Sequence, residues 1–427
     1  MDVTSKKVSM NESIYKKISW RILPFLVVCF TLAYIDRVNV SFAKIQMVSE
    51  LGFSETVYGL GAGIFFIGYF IFEVPSNYLL VKIGASRWLG FLMVVWGTLS
   101  SLTMFIDSAQ QFYLLRFLLG LAEAGFVPGV IYYLSEWYPS YRRAKVTAIF
   151  LSSIALSGIV GGPISGFIMN IFDQYHYGGW RMLFLIEGIP TIILGFLAPK
   201  ILSSIDKAKW ISQTEREYLR KQLENDRANQ ESPKKIAIFM DMRVWWLSAI
   251  YFCGITGLYT VCFYLPALIN NVGVKNIFAI GVISAIPYIS AIVAMIAISA
   301  SSDYFKERKY HFIAVNIIAV IGFLGIAVFD NNIYLALIFM SLATAGILTL
   351  VSLFWSLPAT LMSGMAAAIA IAIINSVGNL SGFVTPYLIG YIIDTTKSIS
   401  PALYVISIVV LFGSVLLYRF SKKVDNI

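Results

Sequence analysis

The sequence predicts an all-α membrane protein of twelve transmembrane helices in two six-helix halves, and three observations carry that prediction. Of the 427 residues, 58% are hydrophobic and only 13% charged, with a mean hydropathy of +0.78, outside the range of soluble globular chains. Apolar windows recur at or above the roughly 20 residues that cross hydrocarbon as a helix. A single long polar, basic stretch separates six of these windows from the other six.

The first span, 18–43, ends in VNVSFAKIQM without the small-residue pattern of a cleaved signal, so it is expected to stay in the chain. The second, 57–81, runs into the basic loop VKIGASR, and the third, 86–106, contains the charge-free window Trp88–Ile106. The fourth, 110–135, carries Arg116 and Glu123; the fifth, 145–171, overlaps the charge-free window Thr147–Phe172; the sixth is 180–201. The seventh and eighth, 243–271 and 277–301, fall in the charge-free windows Val244–Val274 and Asn276–Ser302, and the ninth is 310–329. Asn331–Ile393 lacks charge but is too long for one crossing; Pro358 and Gly364 divide it into a tenth span, 332–357, and an eleventh, 364–392. The twelfth, 401–420, lies in Ser398–Tyr418.

The domain reading is therefore 1–202 for the first half, 203–242 for a linker, and 243–427 for the second half. In the linker, Ser212 followed by Glu215 forms a capping box, which predicts a short amphipathic surface helix. The halves share features at a nearly constant offset. LAEAG at 121–125 matches LATAG at 342–346, Pro163 with Gly166 matches Pro386 with Gly390, and basic loops follow the second and eighth spans. Two six-helix repeats related along the membrane normal are the build of the major facilitator fold, with its substrate site between the halves at mid-membrane.

The net charge of +9 reports topology rather than a nucleic-acid partner. Of the 32 Lys and Arg, Lys44, Arg181, Lys275 and Lys397 fall on one set of loops, Arg37 and Arg116 lie inside spans, and the rest sit on the opposite side. The positive-inside rule then places both termini in the cytoplasm of a multi-pass cytoplasmic-membrane protein. Cys29, Cys253 and Cys262 all lie in apolar spans and offer neither a disulfide framework nor metal spacing. No HExxH occurs and the two histidines, His176 and His311, lie in or beside loops, which argues against an embedded hydrolase. No metal or cofactor is expected, and a monomer is.

Charges inside spans are costly and are kept mainly where they function. Asp36 and Arg37 lie on the first span, Arg116 and Glu123 on the fourth, and Glu73 and Glu187 on the second and sixth; the interiors of the last six spans carry no Asp, Glu, Lys or Arg. Arg116 and Glu123, seven apart, share a helix face about 10 Å from each other. Asp36 and Arg37 point about 100° apart and cannot simply pair. Tyr34, Arg37 and Ser41 share a face, presenting a guanidinium fork beside hydroxyls, suited to a carboxylate ligand. With Asp36 and Glu123 ionised the four central charges sum to zero; with both protonated they sum to +2, so proton and anion binding support one another, as symport requires. In the repeat, Glu123 corresponds to Thr344. The competing reading is a static ion bridge that only sets helix packing. Gly158, Gly162 and Gly166, and Gly378 with Gly382, read as close helix contacts.

AYIDRVNVSFAKIQM, GYFIFEVPSNYLL, RFLLGLAEAGFVPG, EWYPSYRRAK and GGWRMLFLIEGIP together resemble the anion:cation symporter family of the major facilitator superfamily, over about Trp20 to Tyr418. The IDRVNVSFAK run is most similar to the branch of tartrate, sugar-acid and 4-hydroxyphenylacetate permeases. The resemblance implies proton-driven uptake of organic anions by alternating access, with Asp36 and Glu123 coupling protons and Arg37 binding substrate. By motif position it adds Tyr34, Tyr69, Arg116, Ser352, Trp355 and Asn375 to the substrate site. Asn77 and Val81 depart from the superfamily loop motif after the second span, whereas the copy after the eighth keeps Asp303, with Lys306 and Arg308, as a gating loop. The fifth span reads LSSIALSG where galactonate-type members offer a Gln, which weakens the case for a long polyhydroxylated substrate. Two other functions remain open at this point, uptake of an aromatic carboxylate and organic-anion export or antiport; a non-transporting receptor would be marked by loss of an intramembrane carboxylate, and both are present.

Overall fold

The computed structural model describes residues 3–174, 178–228, 241–305, 307–355, 357 and 364–421. Among them, twelve helical spans are long and apolar enough to cross a membrane: Glu12–Glu50, Glu55–Ile83, Ala85–Phe105, Ala109–Trp137, Ser140–Gln174, Gly179–Ile201, Met242–Asn271, Ile277–Phe305, Lys309–Val328, Ile333–Phe354, Ile369–Thr396 and Ser400–Ser421. All twelve spans expected from the sequence are present. Several start at a side chain that caps the free backbone N–H groups. Ser54 accepts from Val57 N at 3.2 Å, Ser108 from Gln111 N at 3.4 Å, and Asn332 from Tyr334 N and Leu335 N at 3.1 Å.

Apolar periodicity does not reveal small local irregularities near the middles of some spans, where the backbone nonetheless stays in the right-handed helical region. Regular helix stops at Val38 and resumes at Val40 in the first span, stops at Glu123 and resumes at Phe126 in the fourth, and does the same at Ser152 in the fifth and Leu380 in the eleventh. Two of these irregularities directly follow the charged residues singled out above.

Packing repeats at a distance of six spans. The third span packs on the sixth and the ninth on the twelfth; the second packs on the fourth and the eighth on the tenth. Between the first six and the last six, the second span lies along the eleventh and the fifth along the eighth. Small residues permit that approach, since backbones can meet only where no side chain intervenes. A Cβ at Gly162 would lie 2.6 Å from the Gly281 carbonyl oxygen, and one at Gly382 would lie 2.6 Å from the Phe66 ring.

One end of this seam is clasped by polar groups. The Lys44 ammonium pairs with the Glu55 carboxylate at 2.7 Å and sits over the rings of Tyr58 and Tyr264, at 4.9 and 4.4 Å. The Asp394 carboxylate, near the end of the eleventh span, accepts from Glu55 N at 3.1 Å, from Thr56 N at 2.8 Å and from the Thr56 hydroxyl. Tyr58 OH donates to the Phe263 carbonyl at 3.0 Å, and Tyr264 OH to that of Pro386 at 2.9 Å.

In the linker the capping box forms: Ser212 N donates to Glu215 Oε2 at 2.7 Å, and Glu215 N donates to Ser212 Oγ at 3.2 Å. It opens the surface helix Gln213–Ala228. This helix is tied to the first span by Lys17–Glu215 at 3.1 Å, while Trp210 just before it stacks on Trp137 at 5.3 Å. Burial penalises the charged Glu215 carboxyl, but the bond from Ser212 N and the Lys17 ammonium outweigh it and hold the group below the usual glutamate range.

Candidate substrate and coupling site

Arg37 projects from the first span toward the fourth. Arg37 Nη2 and Nε donate to the same oxygen of Glu123, Oε2, at 2.9 and 3.2 Å. The Glu123 side chain is 1% exposed and that of Arg37 14%. Glu123 Oε1 is buried without a partner. Gly125, within the irregular step of the fourth span, leaves room for Ser76, whose hydroxyl accepts from the Trp88 indole N–H at 2.9 Å.

Aromatic rings surround the guanidinium: Tyr34 at 5.7 Å, Phe65 at 5.1 Å and Tyr69 at 5.3 Å. Such contacts favour a cation electrostatically while leaving its edge free for an anion. From the second half, Tyr259 faces the same charge. Its hydroxyl donates to Asn379 Oδ1 at 2.9 Å, and its ring meets Phe66 at 4.5 Å. Tyr34 OH reaches Cys262 Sγ at 3.6 Å, so the first span touches the seventh at this level.

Asp36 turns away from this cluster, as its position next to Arg37 requires. It is buried against the third and sixth spans, where Ser100 Oγ donates to Oδ1 at 3.0 Å and Thr191 Oγ1 to Oδ2 at 3.2 Å. Arg116 is also buried and directs Nε and Nη2 to the carbonyls of Gly61 and Ala62, both at 3.4 Å. Phe65 links the two arginines, lying 5.0 Å from Arg116 and 5.1 Å from Arg37. The four central charges therefore form an Arg37–Glu123 pair, an Arg116 held by backbone carbonyls, and an Asp36 held by hydroxyls.

In the second half, Trp355 ends the regular helix of the tenth span and meets the Tyr251 ring edge to face at 4.8 Å. Ser352 is exposed, while Asn375 is half-buried one turn before Asn379 on the same helix. Ser41 lies beyond the first-span irregularity and lines a small cavity with Ser157, Cys262 and Ser284. Glu73 accepts from Ser376 Oγ at 3.3 Å, joining the second and eleventh spans. After the eighth span, Asp303 pairs with Arg308 at 2.7 Å, while Lys306 lies outside the described residues.

Sequence reasoning missed Phe65, Tyr259 and Asn379 around Arg37, and the hydroxyls of Ser100 and Thr191 around Asp36. A tyrosine in the middle of the apolar seventh span was a usable signal for Tyr259. Phe65 and the two hydroxyl residues are too common in membrane helices to stand out.

The profile describing the Major Facilitator Superfamily matches residues 26–386. The chain belongs to this superfamily. A "Putative metabolite transport protein NicT" of Pseudomonas putida is 43% identical, over 97% of this chain and 96% of that one. A "Putative tartrate transporter" of Agrobacterium vitis is 42% identical, over 97% and 93%. Among solved structures, the partially occluded inward-open xylose transporter XylE of Escherichia coli has a TM-score of 0.73 at 15% identity, covering 94% of this chain and 99% of that one; this likeness concerns fold alone. The superfamily member described here is thus a multi-pass membrane protein and a secondary transporter of a small molecule, and its relatives are named as transporters rather than enzymes.

Proposed function

We propose that the chain is a proton-coupled symporter of a small organic anion, a hydroxycarboxylate such as tartrate or a sugar acid, working by alternating access from the cytoplasmic membrane. The observation that carries this reading is the Arg37–Glu123 pair. An ionised Glu123 occupies the guanidinium that a substrate carboxylate would need. A proton on Glu123 removes its charge and frees the fork, so the anion binds the protonated carrier best, and loss of the proton on the other side displaces the anion. Linkage between proton and anion follows from this competition.

Arg116, held beside Phe65, adds positive potential to the site, and Tyr34, Tyr69 and Tyr259 wall it. Trp355, Ser352 and Asn375 serve as the second half's contribution. The clasp at Lys44, Glu55 and Asp394 closes the external end, with both termini on the cytoplasmic side, where Asp303, Lys306 and Arg308 form the gating loop. The halves 1–202 and 243–427 move as units about the site, and the carrier acts as a monomer.

A second reading is favoured by the rings: Phe65, Tyr69 and Tyr259 around one guanidinium also suit a planar aromatic carboxylate. A thermal-shift panel of hydroxy, dicarboxylic and aromatic acids separates the two, since a ligand stabilises the state it binds. Stabilisation by tartrate-like acids alone supports the first reading, stabilisation by aromatic acids alone supports the second, and stabilisation by no acid at any pH excludes both.

A further inference from the structure

Glu187, on the sixth span, takes no part in the scheme above, yet it is buried at 5% exposure. Ser165 Oγ donates to its Oε1 at 2.7 Å, while Oε2 is buried without a partner. Asp36 of the first span lies against the same stretch of the sixth. Asp36, by contrast, has both oxygens filled by hydroxyl donors, one of them Thr191, a single helical turn from Glu187.

Asn39, at the irregular step in the first span, is fully buried. It lies about one turn after Asp36 on the first span, toward Glu187, and both its Oδ1 and Nδ2 are buried without partners. Three unpartnered polar atoms thus converge next to a carboxylate pair. Groups facing the pair are Ser100 of the third span, Ser165 of the fifth, Thr191 of the sixth and Asn39 of the first, and the charges of Glu123 and Arg116 on the fourth also act on Asp36. Three cations on these elements are engaged elsewhere: Arg37 with Glu123, Lys44 with Glu55, and Arg181 with Glu50 and Asp107. Among the described residues no basic side chain pairs with either carboxylate.

Two carboxylates close together in hydrocarbon, neither paired with a cation, do not both stay ionised. The hydrogen bonds distinguish their states. Asp36 receives two donors, the arrangement an ionised carboxylate prefers. Glu187 receives one and leaves an oxygen free beside an amide that offers an acceptor, the arrangement a carboxylic acid prefers. We propose that Glu187 is a proton-binding residue of the carrier, that it and Asp36 share one proton, and that the Asn39 amide changes its hydrogen bond as that proton moves.

With the proton on Glu187 Oε2, that O–H donates to Asn39 Oδ1. When the proton passes to the Asp36 carboxylate, the amide turns and Nδ2–H donates to the ionised Oε2; one O–H bond breaks, one forms, and no electrons are transferred. Because Asn39 lies on the same span as Arg37, two residues on, the location of the proton is felt near the substrate cation. This assignment rests on the proton-coupled reading, but its test needs no substrate.

Infrared spectra of the full-length protein in lipid, in ordinary and heavy water, report the carboxylic-acid C=O stretch, which only a protonated acid gives. The expected result is a buried-acid band at neutral pH that is lost in Glu187→Gln, changes frequency in Asn39→Ala and titrates differently in Asp36→Asn. A band unchanged in Glu187→Gln overturns the assignment, as does a band abolished when sodium chloride replaces choline chloride, since a metal cation would then occupy the pair. If Glu187→Gln fails to fold, Ser165→Ala removes the donor to Oε1 and is expected to shift the same band; no shift counts against the proposal. Tartrate uptake driven by a pH gradient is measured separately on the wild type. Its absence beside an intact Glu187 band removes symport and leaves the proton site standing.

Discussion

Arg37 and Glu123 meet with both guanidinium donors on one carboxylate oxygen, at 2.9 and 3.2 Å, while the other oxygen is buried and unpartnered. A side-by-side, two-oxygen fork would be the stronger arrangement for a static bridge. The observed one leaves an acceptor unsatisfied at mid-membrane, which favours a pair that opens over one that only fixes helix packing. The rings of Tyr34, Phe65 and Tyr69 keep Arg37 in place when Glu123 lets go.

Arg37→Lys is expected to weaken anion binding and Arg37→Ala to abolish it. Lysine keeps the charge but loses the planar fork. Truncating one partner of a buried, hydrogen-bonded charge pair costs about 2–5 kcal/mol, roughly 30-fold to several thousand-fold in affinity. Ligand-induced thermal stabilisation with tartrate measures it, and unchanged affinity in the alanine variant removes Arg37 from the site.

Glu123→Gln mimics the protonated acid and leaves the Arg37 charge uncompensated. This variant should retain or improve anion binding and should exchange substrate across the membrane, yet fail to accumulate it against a gradient. Proteoliposomes with an imposed pH gradient decide the matter. Accumulation at the wild-type level would end the coupling role of Glu123.

Span number and the capping box at Ser212 and Glu215 were legible because each rests on local sequence: apolar length in the first case, a three-residue spacing in the second. The partition of charges was legible in part. A 100° offset separates Asp36 from Arg37 in any helix, but nothing local says that Ser100 and Thr191, on other spans, receive Asp36. The helix irregularities after Arg37 and Glu123 were invisible, since neither Asn39 nor the Ala124–Gly125 step carries a proline. The clasp was hidden for a different reason: Asp394 and Glu55 lie near the ends of their spans, where charges are ordinary, and only the fold shows that they share one seam.

Asp394→Ala is expected to loosen the clasped end of the seam. The substitution removes a charged acceptor of the Glu55 and Thr56 backbone N–H groups and of the Thr56 hydroxyl. A hydrogen bond to a charged group contributes about 1.5–3 kcal/mol, so the population open at that end should rise roughly ten- to a hundredfold. Spin-label distances between the clasped ends of the second and eleventh spans report the change. An unaltered distance distribution would show that the glycine-mediated packing of these helices closes the end without Asp394.

The last prediction concerns voltage. Suppose that a transport cycle carries two protons, one on Glu123 and one on the carboxylates around Asp36. A monoanion moving with both protons then transfers one net positive charge, and a dianion transfers none. One charge moved through 100 mV is worth about 2.3 kcal/mol, enough to drive roughly fiftyfold accumulation. A monocarboxylate should therefore respond to membrane potential as well as to pH, whereas a dicarboxylate such as tartrate should respond to the pH gradient alone. Uptake into proteoliposomes under a potassium diffusion potential, inside negative and with equal pH on both sides, tests this directly. Stimulated uptake of a monocarboxylate supports the two-proton cycle. A monocarboxylate that is transported but ignores voltage would show that one proton moves per anion, and the Glu123→Gln and Asp36→Asn variants would then show which carboxylate keeps its charge throughout the cycle.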